Sequence, residues 1–144
     1  MLNANYAIAT YGLTKKFDHQ IAVNSVDLRI QTGEVFGLIG ANGAGKTTLI
    51  KMLAAAVEPS CGEIYLQGDR LLLDNSSSML KQRIGYLPDD YPLYDDLTVW
   101  DYLDYFARLY RLTPTRRRRR IYEVLELIQL GNKRNSQITT LSRE

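Results

Sequence analysis

One cysteine and one histidine in 144 residues leave this chain no internal disulfide and no cluster of sulfur and imidazole metal ligands. Cys61 fits a reducing compartment, and His19, isolated two residues after Phe17, reads as an exposed turn residue rather than a ligand or a base. No run approaches the roughly eighteen consecutive apolar residues of a spanning helix, and the first residues lack the basic-then-apolar pattern of a secretion signal. The expectation is a soluble, cytoplasmic polypeptide. An excess of charge of one sign is missing too: 18 basic residues against 16 acidic ones leave +2, which argues against nucleic acid or an acidic membrane as the defining partner. The length suits one modest domain or part of one.

What is present alternates and then curls. Val26, Leu28 and Ile30 alternate with Asp27 and Arg29, the two-residue period of a half-buried strand, with residues 6–11 as its antiparallel partner and Gln31-Thr32-Gly33-Glu34 as the following turn. Residues 35–39 are almost wholly apolar, as a central strand covered on both faces must be. Residues 46–55 read as a helix with Leu49, Met52 and Leu53 on one side. Short strands follow at 64–66 and 84–87, broken by turns at Glu58-Pro59-Ser60-Cys61-Gly62 and Gln67-Gly68-Asp69, the second strand closed by Pro88. The pattern then turns helical. Val99, Leu103, Phe106, Ala107 and Tyr110 share one helix face, and Ile121, Val124, Leu125 and Ile128 share another, with Thr113-Pro114 as cap and first turn of the second helix.

Between the apolar segment and the first helix, Gly40-Ala41-Asn42-Gly43-Ala44-Gly45-Lys46-Thr47 matches G-x-x-x-x-G-K-[ST] in full. Gly43 and Gly45 keep side chains out of the way, so that backbone amides converge on phosphates at the positive end of the helix. Lys46 has the reach for β- and γ-phosphates, the Thr47 hydroxyl suits Mg²⁺, and Thr48 suits the α-phosphate. A glycine-rich turn with a capping threonine explains neither the lysine nor the preceding strand. The segment implies a purine nucleoside triphosphate, ATP above all, held by Gly40, Asn42, Gly43, Ala44, Gly45, Lys46, Thr47 and Thr48.

The run from Gly37 to Thr48 resembles the nucleotide-binding domain of ATP-binding cassette (ABC) transporters, as do Leu13-Thr14-Lys15-Lys16-Phe17, Gly33-Glu34, Gly62-Glu63-Ile64, Ile84-Gly85-Tyr86-Leu87-Pro88 and Leu97-Thr98-Val99, in the family's order. The resemblance implies an α/β P-loop NTPase fold of the ABC type, incomplete, with an antiparallel β ribbon and P-loop core sheet at 1–90 and a helical subdomain at 91–137. It implies adenine stacking on Phe17, with Tyr11 as second candidate, and ATP and Mg²⁺ as cofactors. It also implies transmembrane permease subunits and a homodimer or second ATP-binding subunit as partners, hence a peripheral place on the inner face of the membrane.

Departures from the pattern are local. Where the family has a glutamine touching Mg²⁺ and the attacking water, this chain has Asp89, whose carboxylate can ligate metal or orient water, or can be a solvated turn acid. Thr140-Leu141-Ser142 resembles the start of the family signature, which gives Ser142 a role toward the γ-phosphate of an opposite subunit, but Arg143-Glu144 stand where glycines are expected. No later apolar strand closes on Asp-Glu, so the acid-bearing strand (Walker B), catalytic glutamate and switch histidine are absent from the 144 residues. The expectation is the N-terminal part of a longer ATPase domain, from an exporter on the Leu-Pro-acid and Pro92-Leu93-Tyr94 pattern.

Other readings stay open. A soluble ABC protein acting on ribosomes or DNA, and an inactive ATP-binding remnant, are the alternatives; a GTPase would need an Asn-Lys-x-Asp string that is absent. The tyrosines and Trp100 of residues 91–110 divide between subdomain packing and a partner surface. Arg116 to Arg120 spread around a helix at about 100° per residue, favouring a solvated, snorkelling surface over contact with anionic headgroups or nucleic acid.

Overall fold

A twelve-residue strand, β1 (Tyr6–Phe17), turns at Asp18-His19 into an equally long β2 (Gln20–Gln31), and the two pair antiparallel along their whole length. The computed structural model describes residues 6–72, 78–89, 94 and 96–141. The chain divides into two compact units, Met1–Tyr86 and Leu87–Glu144. In the first, helix α1 (Lys46–Leu53) follows the glycine-rich loop, β3 (Cys61–Leu66) pairs with β1, and the two-residue β4 (Asp69–Arg70) completes an antiparallel sheet of order β2-β1-β3-β4. The short α2 (Ser78–Lys81), with no buried residue, was not foreseen from the sequence.

The long hairpin is held in register by side chains where its ladder is interrupted. Between Thr10 and Leu13 the pairing of β1 with β2 shifts. The fully buried Thr10 hydroxyl fills this gap, donating to the Val26 carbonyl and accepting from the Leu28 amide, both at 2.9 Å. Within this shift the Gly12 amide donates to the Asp27 carboxylate at 2.6 Å, and at the next one, between Leu13 and Lys15, the Ser25 amide donates to the Thr14 hydroxyl at 3.0 Å. Backbone groups that lose strand partners thus regain them locally. Past the irregularity, Leu13 and Val23 turn into a core with Leu49 and Met52 of α1 and Ile64, Leu66 and Leu71.

Two expected strands are corrected. Residues 35–39 form no strand and pair with none among the described residues, and Val35 and Ile39 are 99% and 96% exposed instead of covered on both faces. Residues 84–87 are likewise without strand pairing, and Leu87 is exposed. The physical reason is the same: an apolar run states a preference for burial, whereas a strand needs a neighbour, and β1 to β4 take their hydrogen bonds from one another. The expected helix at 46–55 ends at Leu53 on an Ala54 cap.

In the second unit, α3 (Val99–Leu109) and α4 (Pro114–Leu127) form a helical hairpin. Thr98 caps α3 by accepting from the Asp101 amide at 3.1 Å, while its hydroxyl donates to the Asp101 carboxylate at 2.6 Å; this gives Leu97-Thr98-Val99 a local structural reason. The Val99 and Trp100 amides donate to the Ser136 and Arg134 carbonyls, so the stretch leading to Leu141 is clipped to the start of α3. Helix α4 starts at Thr113-Pro114 as expected, although the Thr113 side chain makes no capping bond. Val99, Ile121, Leu125 and Ile138 form this unit's core. Tyr94, Tyr102, Tyr105 and Phe106 pack ring against ring at 4.9–6.4 Å, with Tyr94 and Tyr105 still exposed.

Thr10→Val keeps the shape of that side chain but leaves the Leu28 amide and Val26 carbonyl without their partner. Urea unfolding of this variant is expected to show a loss of about 1–3 kcal/mol; an unchanged midpoint and slope would remove the hydroxyl from the account of how the hairpin keeps its register.

Candidate functional site

The loop between residue 40 and α1 is shaped by two glycines in the left-handed region, Gly43 at φ 80° and Gly45 at φ 86°. At Gly45 a second constraint coincides: a Cβ would collide with the Ala22 carbonyl oxygen of β2 and crowd Val23 Cγ2 at 3.4 Å. A side chain is therefore excluded by β2 as well as by φ, a constraint that adds to the space this glycine leaves for a ligand. The Ala44 amide donates to the Ala41 carbonyl at 3.2 Å and closes the curl.

The first helical hydrogen bond runs from the Leu49 amide to the Gly45 carbonyl at 2.9 Å. The four amides before it, those of Gly45, Lys46, Thr47 and Thr48, are the donors that any helix start leaves over, and together with that of Gly43 they meet no acceptor among the described residues. No acidic side chain occupies the first turn of α1. The result is a patch of free donors at the positive end of a helix dipole, suited to a multiply charged anion. Residues 41–44 and Thr47 are exposed, so the patch is open to solvent. Lys46 Nζ stands at the mouth of the curl, donating to the Gly40 and Ala41 carbonyl oxygens at 2.7 Å each. A phosphate entering here would meet an ammonium already in place.

Beside the loop, a cavity of about 370 Å³ is lined by Ile21, Ala22 and Val23 of β2, by Leu38 and Ile39, and by Lys46. The start of β2 is a contributor that the sequence reading missed, because it opened that strand at Val26; the apolar Ile21-Ala22-Val23 after a turn was the available signal. Phe17 closes the hairpin opposite Gln20, next to Ile21, and is 48% exposed. The Lys15 ammonium lies 5.0 Å from its ring centroid and is anchored on the Glu58 carbonyl at 2.6 Å. Tyr11, by contrast, is engaged mid-strand, edge-on to Tyr65 at 5.8 Å and 6.0 Å from the Arg29 guanidinium. Of the two aromatic candidates, Phe17 is the one at the hairpin end.

Asp89 is exposed in a bend after Pro88, in the second unit. No group of three or more His, Cys, Asp or Glu able to hold a metal occurs among the described residues. Ser142 lies outside the described residues, while Leu141 just before it packs against the second core. His19 sits exposed in the hairpin turn, as expected.

The family described as "ABC transporter" matches residues 23–143. An uncharacterised ABC transporter ATP-binding protein of Synechocystis is 39% identical over 112 residues, covering 78% of this chain and 30% of that protein. The Nod factor export ATP-binding protein I of Burkholderia pseudomallei is 36% identical over 128 residues, covering 89% of this chain and 41% of its own length. A solved structure of the ATP-binding subunit of an ABC transporter superposes with a TM-score of 0.80 at 29% identity, over 95% of this chain and 56% of that one. The chain thus spans less than two thirds of the length of each of these proteins.

Gly45→Ala tests the local geometry without any ligand. Thermal or urea unfolding should register a loss of at least about 1–2 kcal/mol from the left-handed backbone alone, with the clash against β2 added; wild-type stability in this variant would contradict the close contact between loop and strand.

Proposed function

Because the chain belongs to the ABC transporter ATP-binding family, whose domains bind ATP with Mg²⁺, we propose that it forms the nucleotide-binding part of an energy-coupling subunit that drives transmembrane export. The single observation that carries the nucleotide reading is the patch of unpaired amides at Gly43 and at residues 45–48, with the Lys46 ammonium at its mouth. Gly40, Asn42 and Ala44 complete the curl around that patch. The amides and Lys46 take up the negative charge of the triphosphate, and Lys46 exchanges two carbonyl contacts for phosphate oxygens as it does so. The Thr47 hydroxyl, exposed on the first turn of α1, is the oxygen this chain offers to Mg²⁺, and Asp89 is the second candidate ligand. Mg²⁺, when bound, neutralises charge building up on the β- and γ-phosphates.

Phe17 is assigned to the purine, since its ring is half exposed at the hairpin end. Ser142 is assigned to the γ-phosphate of a partner subunit, a homodimer mate or a second ATP-binding subunit. Hydrolysis and coupling to permease subunits are activities of the whole protein. They follow from the family reading, and a peripheral position on the inner face of the membrane is part of the same proposal. Consistent with a peripheral role, no helix among the described residues is long and apolar enough to cross a membrane. The export direction draws on the Leu87-Pro88-Asp89 pattern and on the similarity to a Nod factor export protein.

Two substitutions separate the contributions. In titrations with a fluorescent ATP analogue, Lys46→Ala should weaken Mg-nucleotide binding by about 1.5–3 kcal/mol, the scale of charged hydrogen bonds; equal affinity of the variant and the parent would sink the assignment of the loop. Phe17→Ala should cost about 1–3 kcal/mol by analogy with base stacking on aromatic side chains, and an unchanged affinity would move the base contact away from Phe17.

A further inference from the structure

Charge is strongly segregated along the second unit: residues 89–104 hold six aspartates and no base, whereas residues 108–134 hold nine bases and two acids. The five arginines of α4 occupy its N-terminal half, and no acid sits in the first turn. Cations at that end oppose the helix dipole, so helix stability does not account for them. The structure also shows which of the five have a carboxylate partner. Arg117 pairs with Asp104 at 2.6 Å, with both side chains largely covered, and Arg119 and Arg120 share Glu123 at 2.7 and 2.8 Å. Hydrogen bonds from Arg120 and Arg119 hold the Glu123 carboxyl below its ordinary pKa.

Arg111, Arg116 and Arg118 are exposed and have no carboxylate partner among the described residues. Arg118 lies 6.0 Å from the Tyr122 ring, and the two residues line a groove of about 540 Å³ with Pro114, Thr115 and Arg119. Apolar groups accompany the charge: Leu109 and Tyr110, at the end of α3 where the chain turns into α4, are exposed, as is Tyr122. Loose arginines beside an exposed leucine and two tyrosines match the headgroup layer of an anionic bilayer, which receives cations at the phosphates and amphipathic rings just beneath them. A nucleic acid would use the arginines but leave Leu109 without a role.

We propose that the α3–α4 hairpin end, through Arg111, Arg116 and Arg118 with Leu109, Tyr110 and Tyr122, rests on the phosphate headgroups of an anionic membrane. This proposal rests on the reading that the chain works beside a membrane subunit, and it adds a direct lipid contact to it. The test is flotation of the intact protein with vesicles of phosphatidylcholine alone or mixed with phosphatidylglycerol, at low and high salt. Binding should require the anionic lipid and fade with salt. Arg116→Gln/Arg118→Gln should lower partitioning about thirtyfold, about fivefold for each cation, while Lys133→Gln leaves it within about twofold. Mg-ATP titration of the same double variant should match the parent, so that a lost nucleotide site and a lost lipid contact are told apart. Equal flotation with neutral and anionic vesicles, full binding by the double variant, or capture of duplex DNA in preference to the vesicles would each overturn the proposal.

Discussion

At Gly45 the main chain lies so close to the Ala22 carbonyl of β2 that no side chain fits between them, and the arrangement of the first unit follows from that contact. It fixes where α1 begins relative to the hairpin. The helix then offers its unpaired amides beside the start of β2, while Leu49 and Met52 reach the core that Leu13 and Val23 supply. Packing and donor exposure are therefore two sides of one helix: the face that is buried orients the end that is free. The hairpin can serve as this base because Thr10, Asp27 and Thr14 satisfy its backbone where the ladder breaks.

The parts of the molecule that could be read in the sequence are those specified by neighbours along the chain. The loop and α1 needed only glycines, a lysine and a helix start within a few residues, and both helices of the second unit declared themselves through one-sided apolar spacing, the second also through Thr113-Pro114 at its start. Residues 35–39 and 84–87 were misread because pairing is not local. Apolar composition there is real, yet a neighbouring strand cannot be inferred from it. The early start of β2 escaped because Asp18-His19 lacks the glycine that usually marks a two-residue hairpin turn, although Asp18 does take a positive φ of 46°.

Candidate site residues divide along the same line. The loop residues sit together because they are contiguous, whereas the roles of Phe17, Asp89 and Ser142 depend on chain segments far from the loop in sequence. Phe17 is at the hairpin end that the pairing of β1 and β2 defines. Asp89 belongs to the second unit. The arginine run shows the limit of composition: five identical side chains differ in what holds them, and only the fold distinguishes Arg117, locked on Asp104, from Arg116 and Arg118.

Whether the free amides at the start of α1 form a triphosphate cradle is addressed directly by residue-resolved amide NMR. On titration with Mg-ATP, the largest shift changes are expected at the backbone amides of Gly43 and residues 45–48, with slowed solvent exchange at the same positions. Changes confined to other parts of the chain, with these amides unmoved at saturating nucleotide, would contradict the account.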